Sequence, residues 1–348
     1  MRFFITGAAG FIGFHLARRL LGEGHVVLGV DGMTSYYDVG LKLRRNALLQ
    51  EHVHYAFAQV MLQDRCALEA AMGSFAPDVI VHLAAQAGVR HSLRDPEAYI
   101  STNILGTHQL LEVTRLHRPK HLLLASTSSV YGANGDLPFG EVQRTDYPLS
   151  LYAATKKACE ALSHSYAHLW DIPTTCVRFF TVYGPWGRPD MALYKFVDAS
   201  LRGLPIEIFG MGKMKREVTY VGDLIEAIVR LVEVPPRNGQ PVTCSGVRDS
   251  LSPVAPWRTV NVAGGTAVTA LEMVATIERL TGRTITRRLR PDHAGEARET
   301  MACSRLLQEL TGFLPTTSFE EIAREFVEWF QNGGYQWPTG AGHLETRA

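Results

Sequence analysis

Tyr152 and Lys156 stand in the stretch Tyr152-Ala153-Ala154-Thr155-Lys156, a spacing that places both side chains on one face of a helix, one turn apart. An ammonium beside a phenol stabilises phenolate, so the pair can bring a tyrosine from its ordinary value of about 10 toward the range of a general base. Any long helix can carry this pair, and alone it reads more often as a solvated face. The run Ser126-Thr127-Ser128-Ser129-Val130-Tyr131-Gly132 adds weight. It follows an apolar segment, residues 121–125, and so falls at the C-terminal edge of a strand, where open parallel sheets bind ligands. There the Thr127 hydroxyl can share a hydrogen bond with the oxygen whose proton Tyr152 removes. By itself, the hydroxyl cluster reads as a loop that caps its own backbone.

The second constellation is Gly7-Ala8-Ala9-Gly10-Phe11-Ile12-Gly13, between the apolar run Arg2-Phe3-Phe4-Ile5-Thr6 and a helical pattern over residues 14–21. Strand, glycine turn and helix in that order suit a dinucleotide. Gly7 permits the sharp turn, Gly10 lets backbone N–H groups approach a pyrophosphate, and Gly13 lets the helix lie close to the strand. Val26-Val27-Leu28-Gly29-Val30 reads as a second buried strand ending in Asp31. A carboxylate there accepts the adenosine ribose hydroxyls and repels a 2′-phosphate, so the expected cofactor is NAD rather than NADP.

Alternating strand and helix signals imply the scaffold for these residues. Strands are expected at residues 54–57, 79–84, 121–126 and 175–180, and helices at 11–22, 64–73, 101–117 and 151–170. The fold class is α/β, a Rossmann-type doubly wound parallel sheet with a smaller mixed α/β substrate domain. Residues 1–180 form the NAD-binding domain with the Tyr/Lys pair. Residues 181–340 form the second domain, interleaved with the first, and residues 341–348 a flexible tail. In the second domain helices are expected at 191–202, 271–281 and 319–331. Residues 235–257, rich in Pro, Gly and Ser, read as a long surface loop, with Asn261-Val262 returning as a short strand.

Composition narrows the partners. The 348 residues are 46% hydrophobic, enough to bury a large core. Lys and Arg number 35 against 34 Asp and Glu, interspersed, so no nucleic-acid stripe is expected and the partner is a small molecule. Five cysteines without a C-x-x-C pair suggest neither a zinc site nor a disulfide framework, and no metal is expected. No apolar run approaches a membrane span and no leader precedes the first strand, so the chain is expected in the cytoplasm, away from membranes.

Several motifs together carry a resemblance. Thr6 to Gly13 with its G-x-x-G-x-x-G spacing, His82-Leu83-Ala84-Ala85-Gln86-Ala87-Gly88-Val89-Arg90, Thr127 to Gly132, Tyr152 to Lys156, and Arg178-Phe179-Phe180-Thr181-Val182-Tyr183-Gly184-Pro185 resemble the extended short-chain dehydrogenases. Within them the chain is most similar to the UDP-glucuronate 4-epimerases, and the likeness continues through residues 212–220 to about residue 330. It implies Tyr152 as base, Lys156 as its partner and holder of the nicotinamide ribose, and Thr127 as the hydroxyl that positions the sugar. Further cofactor contacts are implied at Gly7, Gly10, Phe11, Ile12, Gly13, Asp31, Lys42, Leu62, Leu83, Ala84, Ala85 and Gln86. A UDP-sugar is implied against Arg90, Ser128, Ser129, Thr181, Arg188, Lys195, Phe209, Arg216 and Glu296, with Arg188 and Arg216 on the diphosphate and Glu296 near the uridine ribose. A homodimer is also implied, packed through helices around residues 105–117 and 153–169. The chain departs from its relatives at Met61, where an Asp contacts adenine, and at Arg298 and Cys303, where Pro and Asp are common. Gly222-Asp223 replaces an acid pair.

The outcome of the reaction turns on Ser129. Relatives that dehydrate or decarboxylate their sugar carry Glu at this position, so the resemblance implies return of hydride to the opposite face of a 4-keto sugar. The Ser128 and Thr181 hydroxyls can hold a C6 carboxylate, which favours UDP-glucuronate to UDP-galacturonate. The alternatives are a UDP-glucose or UDP-N-acetylglucosamine 4-epimerase, a UDP-glucuronate decarboxylase, and a non-catalytic NAD-binding sensor.

Overall fold

The apolar runs of the first half are rich in Val, Ile, Leu and Phe and are buried on both faces, the pattern of a parallel sheet covered by helices. A computed structural model describes residues 1–244, 246–291 and 299–334. In chain order come β1 (Arg2–Thr6), α1 (Phe11–Gly22), β2 (Val26–Asp31), α2 (Val39–Gln50), β3 (Tyr55–Gln59), α3 (Arg65–Phe75) and β4 (Val79–His82). One helical run follows, made of α4 (Pro96–Tyr99), a π-helical stretch (Ile100–Leu105) and α5 (Gly106–His117). Then come β5 (His121–Thr127), α6 (Leu151–Trp170), β6 (Thr174–Phe179), β7 (Thr181–Tyr183), α7 (Ala192–Arg202), β8 (Ile206–Ile208), β9 (Lys215–Tyr220) and α8 (Val221–Val232). The rest is β10 (Thr243–Cys244), β11 (Val247–Arg248), β12 (Trp257–Val262), β13 (Thr266–Thr269), α9 (Ala270–Thr281), β14 (Arg287–Leu289), β15 (Glu299–Thr300), α10 (Arg305–Thr311) and α11 (Phe319–Gln331).

The main sheet has the order β12-β6-β5-β4-β1-β2-β3, and each of its pairings is parallel. Its strand order reverses between β1 and β4, the switch point at which such sheets bind ligands. One face is covered by α1, α8 and α10 through Phe14, Leu16, Leu20, Leu224, Ile228, Leu306 and Leu307. α3, α5 and α6 cover the other through Leu68, Met72, Leu110, Leu111 and Tyr166. A second core gathers α7, α9 and α11 around Tyr194, Phe196, Val274, Ile277, Phe326 and Phe330.

Helices α8 and α10 were not among those expected, and two further departures, α2 and β12, share one reason. α2 was not expected because its buried positions are Leu41, Lys42, Arg45, Asn46 and Leu49, and three polar residues interrupt the apolar stripe. The expected short strand at Asn261-Val262 is a six-residue strand, β12, at the edge of the main sheet. Its polar residues are buried and satisfied: Arg258 forks onto Asp249 at 2.9 and 2.7 Å, and Asn261 Oδ1 accepts from the Tyr131 hydroxyl at 2.7 Å. The preceding segment also contains the small β10–β11 hairpin. Glu296, Arg298 and the expected tail, residues 341–348, lie outside the described residues.

His82 and His121 are buried in this framework, and His15 is half-buried. His82 lies between the Thr6 and Thr107 hydroxyls at 2.8 and 3.0 Å, His121 between the Val232 carbonyl and the Thr175 hydroxyl, and His15 against the Pro185 carbonyl at 2.9 Å. Burial, reinforced by Lys156, holds His82 down to about 3, and burial holds His121 and His15 down to about 4. Because these values lie below the ordinary 6.5, the unfolded chain takes up protons first, and stability falls as pH drops from 6.5 toward the folded values. Glu141 acts in the opposite sense: burial pushes it up to about 7, so folding is favoured as pH falls through that range. The histidines together should cost roughly 3–4 kcal/mol between pH 7 and about 5.5, and Glu141 should offset about half of it. Urea midpoints at the two pH values measure the net loss, and an unchanged midpoint would contradict neutral burial.

Candidate active site

The glycine turn emerges from β1 and meets the chain leaving β4. Gly7 has φ +73°, and a Cβ there would sit 2.8 Å from the Ala84 nitrogen. A Cβ on Gly13 would lie 2.1 Å from the Gly7 carbonyl oxygen. α1 therefore starts close against the sheet, with Gly10 as its N-cap and no side chain capping its first N–H groups. Those donors at a helix N-terminus suit a pyrophosphate, so the site fits a dinucleotide.

One cleft is lined by Gly7, Gly10, Phe11, Ile12, Gly13, Asp31, Lys42, Leu62, Leu83, Ala84, Ala85, Gln86, Thr127, Ser128, Ser129, Tyr152, Lys156, Thr181 and Arg188. The structure thus brings together every expected cofactor and catalytic position. Arg90, Lys195, Phe209 and Arg216 are outside that lining. The Arg90 guanidinium lies 4.3 Å from the centre of the Phe209 ring, and Lys195 is held below its ordinary value first by burial and then by Arg90 and Arg94. Such crowding of cations suits an anionic ligand. Arg216 lies on β9, in register with Val268 and Thr300, where its charge acts on buried Tyr183.

Asp31 closes β2 and is buried. Its Oδ1 accepts from the Met33 N–H at 2.8 Å and from Lys42 Nζ at 3.2 Å, while Oδ2 makes no hydrogen bond among the described residues. The pair sets up a cofactor prediction. NAD should bind at least tenfold tighter than NADP, and Asp31→Ala should narrow that gap by removing a repulsion and releasing Lys42 to meet a 2′-phosphate. Calorimetric titration with both dinucleotides tests it; equal affinities in the unaltered protein would refute it.

At the other end, the self-capping loop and the catalytic arrangement coexist. Thr127 Oγ1 accepts from the Ser129 N–H at 3.2 Å and donates to Ser129 Oγ at 3.3 Å, which holds these two hydroxyls at the end of β5. Ser150 caps α6, accepting from the Ala153 N–H at 3.2 Å, so Tyr152 and Lys156 lie in its first turns. Two buried networks fix α6 against the sheet. Arg178 forks onto Glu160 at 2.9 and 3.0 Å, and Ser126 Oγ donates to Glu160 at 2.7 Å, joining β5, β6 and α6. In the π-helical stretch, Asn103 donates to the Gln86 carbonyl and to Thr155 Oγ1, each at 3.0 Å, and accepts from the Gln86 N–H at 2.7 Å.

Several residues of the cleft escaped the sequence reading. Thr34, Tyr36 and Tyr37 line it from the loop after Asp31, and Gln63 and Thr102 line it from two further segments. The adjacent aromatics Tyr36-Tyr37, so close behind Asp31, were the available signal. Asp190 accepts a fork from Arg188 at 2.9 and 2.6 Å and a bond from the Tyr36 hydroxyl at 3.1 Å. Burial opposes its charge, yet Arg188 outweighs burial and keeps Asp190 below the usual carboxylate range. Arg45, wholly buried, donates to Ala9 O at 3.1 Å, to the Tyr37 hydroxyl at 2.9 Å and to Trp186 O, tying the glycine turn to the loop that carries Arg188.

A Rossmann sheet, an uncapped helix at the glycine turn and a Tyr/Lys pair in the same cleft define an NAD-binding enzyme. Residues 3–243 match the NAD dependent epimerase/dehydratase family, and the chain belongs to it. A relative from Rhizobium meliloti (strain 1021), named "Probable UDP-glucuronate 4-epimerase", is 53% identical over 330 residues, 95% of this chain and 97% of the relative. The crystal structure of UDP-glucuronic acid 4-epimerase from Bacillus cereus with UDP-glucuronic acid and NAD superposes with a TM-score of 0.83 at 30% identity, covering 95% of this chain and 99% of that one. UDP-glucose 4-epimerase from Thermotoga maritima with UDP-glucose gives 0.80 at 27% identity, covering 95% and 99%.

Proposed function

We propose that this protein is an isomerase that interconverts UDP-glucuronate and UDP-galacturonate through a transient 4-keto sugar. The observation that carries the reading is the chemistry of the sugar end. Among the described residues lining the cleft, Asp31 is the one carboxylate, and it is paired with Lys42 at the adenosine end. Thr127, Ser128, Ser129 and Thr181 offer hydroxyls in the place where dehydration or decarboxylation would need an acid. The R. meliloti and B. cereus relatives, named for UDP-glucuronate or crystallised with it, support the same substrate.

Bound NAD supplies the hydride acceptor and donor. Tyr152 takes the C4 hydroxyl proton while Thr127 holds the same oxygen, and Lys156 stabilises the phenolate. Ser128 and Thr181 hold the C6 carboxylate, which discourages loss of carbon dioxide from the β-keto acid. Arg90, Arg188, Lys195 and Arg216 hold the diphosphate and Phe209 the nucleotide end, with Glu296 assigned to the uridine ribose by resemblance. Tyr152 then returns its proton as hydride arrives on the opposite face of C4. Product NMR after incubation with UDP-glucuronate tests this: UDP-galacturonate is expected, and a dominant pentose product or equal turnover of UDP-glucose would overturn it.

In this reading residues 1–180 hold NAD and the chain from 181 onward holds the UDP-sugar, interleaved with the first part through α8 and β12. Five free cysteines fit a reducing compartment, and we assign the cytoplasm. We also propose a homodimer through α5 and α6. Leu105, Leu116 and Leu169 are 45%, 51% and 64% exposed, and the small residues Ala154, Ala158, Ala161 and Ser165 follow one outward stripe of α6. Light scattering should give twice the 38.5 kDa chain mass, and Ala161→Arg should give the monomer. A monomeric unaltered protein would reject the interface.

A further inference from the structure

The adenosine end of the cleft holds a polar atom to which the reaction assigns no role. The turn after β3, Val60-Met61-Leu62-Gln63, forms the wall beside Asp31. Asp31 stands in register with Gln59, and its carbonyl accepts the Val60 N–H at 3.1 Å. A dinucleotide whose ribose hydroxyls rest on Asp31 lays its base against this wall, because the pyrophosphate runs the other way, to the glycine turn. Val60 and buried Leu62 present an apolar surface to a flat base. Met61 offers only a thioether, a weak acceptor. Gln63 is different: its Nε2 donates to Ser101 Oγ at 3.0 Å and to Thr102 Oγ1 at 3.3 Å, which fixes the amide. Its Oε1 is buried and has no hydrogen-bond partner in this structure. A buried amide oxygen without a donor is unfavourable until a ligand N–H reaches it.

We propose that the Gln63 carbonyl oxygen accepts a hydrogen bond from the adenine 6-amino group, making Gln63 the residue that reads the base of the cofactor. This rests on NAD as the occupant of the cleft. An adenine amino group is a donor, whereas the 6-oxo group of the hypoxanthine analogue is an acceptor that would face Oε1 with like polarity. The two bases differ at position 6 and at the adjacent N1, an acceptor in adenine and an N–H in hypoxanthine, so the contact is isolated by the change of the affinity ratio on replacing Gln63 rather than by the ratio alone. It also reads binding rather than turnover.

Calorimetric titration of the unaltered protein with NAD and with nicotinamide hypoxanthine dinucleotide should give a preference for NAD of about tenfold or more. Gln63→Met, which keeps the side-chain length without the amide, should reduce the preference to about twofold or less by weakening NAD. Gln63→Glu keeps an acceptor and should retain it. Equal affinities in the unaltered protein, a preference for the hypoxanthine form, or an unchanged ratio in Gln63→Met would each overturn the assignment. Binding of neither dinucleotide would instead overturn the cofactor reading on which it stands. Since Gln63 lies at the edge of the cleft rather than in a core cluster, both variants are expected to fold, and circular dichroism checks that each does.

Discussion

Tyr152→Phe is expected to lower kcat at least about 100-fold while leaving UDP affinity within about twofold of the unaltered protein. The reason is positional. Tyr152 lies in the first turn of α6, lines the cleft with Lys156 and Thr127, and touches Tyr99 edge-on at 6.1 Å between ring centres. Phenylalanine keeps that packing and removes only the oxygen that accepts the C4 proton. The cations proposed for the diphosphate stand on other elements, Arg188 before α7, Lys195 within it and Arg216 on β9, so nucleotide binding has no reason to follow the loss of turnover. Lys156 is 3% exposed on the same helix, and its replacement should also reduce turnover, but with a loss of NAD affinity that Tyr152→Phe lacks. Steady-state rates with UDP-glucuronate and calorimetry with UDP separate the two effects. Near-normal turnover in Tyr152→Phe would remove it from the base role.

How far these roles were legible in the sequence depended on what each residue needs from its surroundings. Backbone devices were plain: a glycine turn between a strand and a helix can be recognised because only glycine tolerates φ +73° with a neighbouring chain 2.8 Å from the missing Cβ. The apolar stripe of α11, Phe319–Gln331, gave its expected limits, whereas that of α8 was not read. α2 was missed and β12 was read as only two residues because Lys42, Arg45, Asn46, Arg258 and Asn261 are polar and yet buried, each bonded to a partner outside its own helix or strand. The same holds in and beside the cleft. Asp190 and Gln63 gain their meaning only from Tyr36, Ser101 and Thr102, which approach from other elements, and no periodicity in the local sequence encodes that approach. Arg90, Lys195 and Phe209, which lie beyond the lining of the cleft, were offered as UDP-sugar contacts by the resemblance alone and by no spacing in the sequence.

Replacing both Ser128 and Thr181 by alanine is expected to change what the enzyme makes as well as how well it binds. The two hydroxyls come from different elements, the turn after β5 and the first residue of β7, and they line the cleft together with Thr127 and Ser129. A carboxylate held between them is fixed by two hydrogen bonds to a charged group, each worth about 1.5–3 kcal/mol, so each loss should weaken UDP-glucuronate binding roughly 10- to 100-fold, less when combined because the two act on one group. UDP-glucose has no carboxylate and should lose little, which narrows the preference between the two substrates. The 4-keto intermediate is also a β-keto acid. Once its carboxylate can rotate until the breaking C–C bond lines up with the ketone, carbon dioxide can leave, slowly in the absence of the acid that decarboxylating relatives carry, with solvent protonating the enolate. The double variant should therefore release a UDP-pentose product that the unaltered protein makes at no more than a trace, with Tyr152 and Lys156 still in place to form the ketone. Product NMR on the two proteins at equal conversion decides it. Unchanged affinity for UDP-glucuronate together with an unchanged product would mean that Ser128 and Thr181 do not hold the carboxylate, and that the preference for a uronic acid must be sought elsewhere in the cleft.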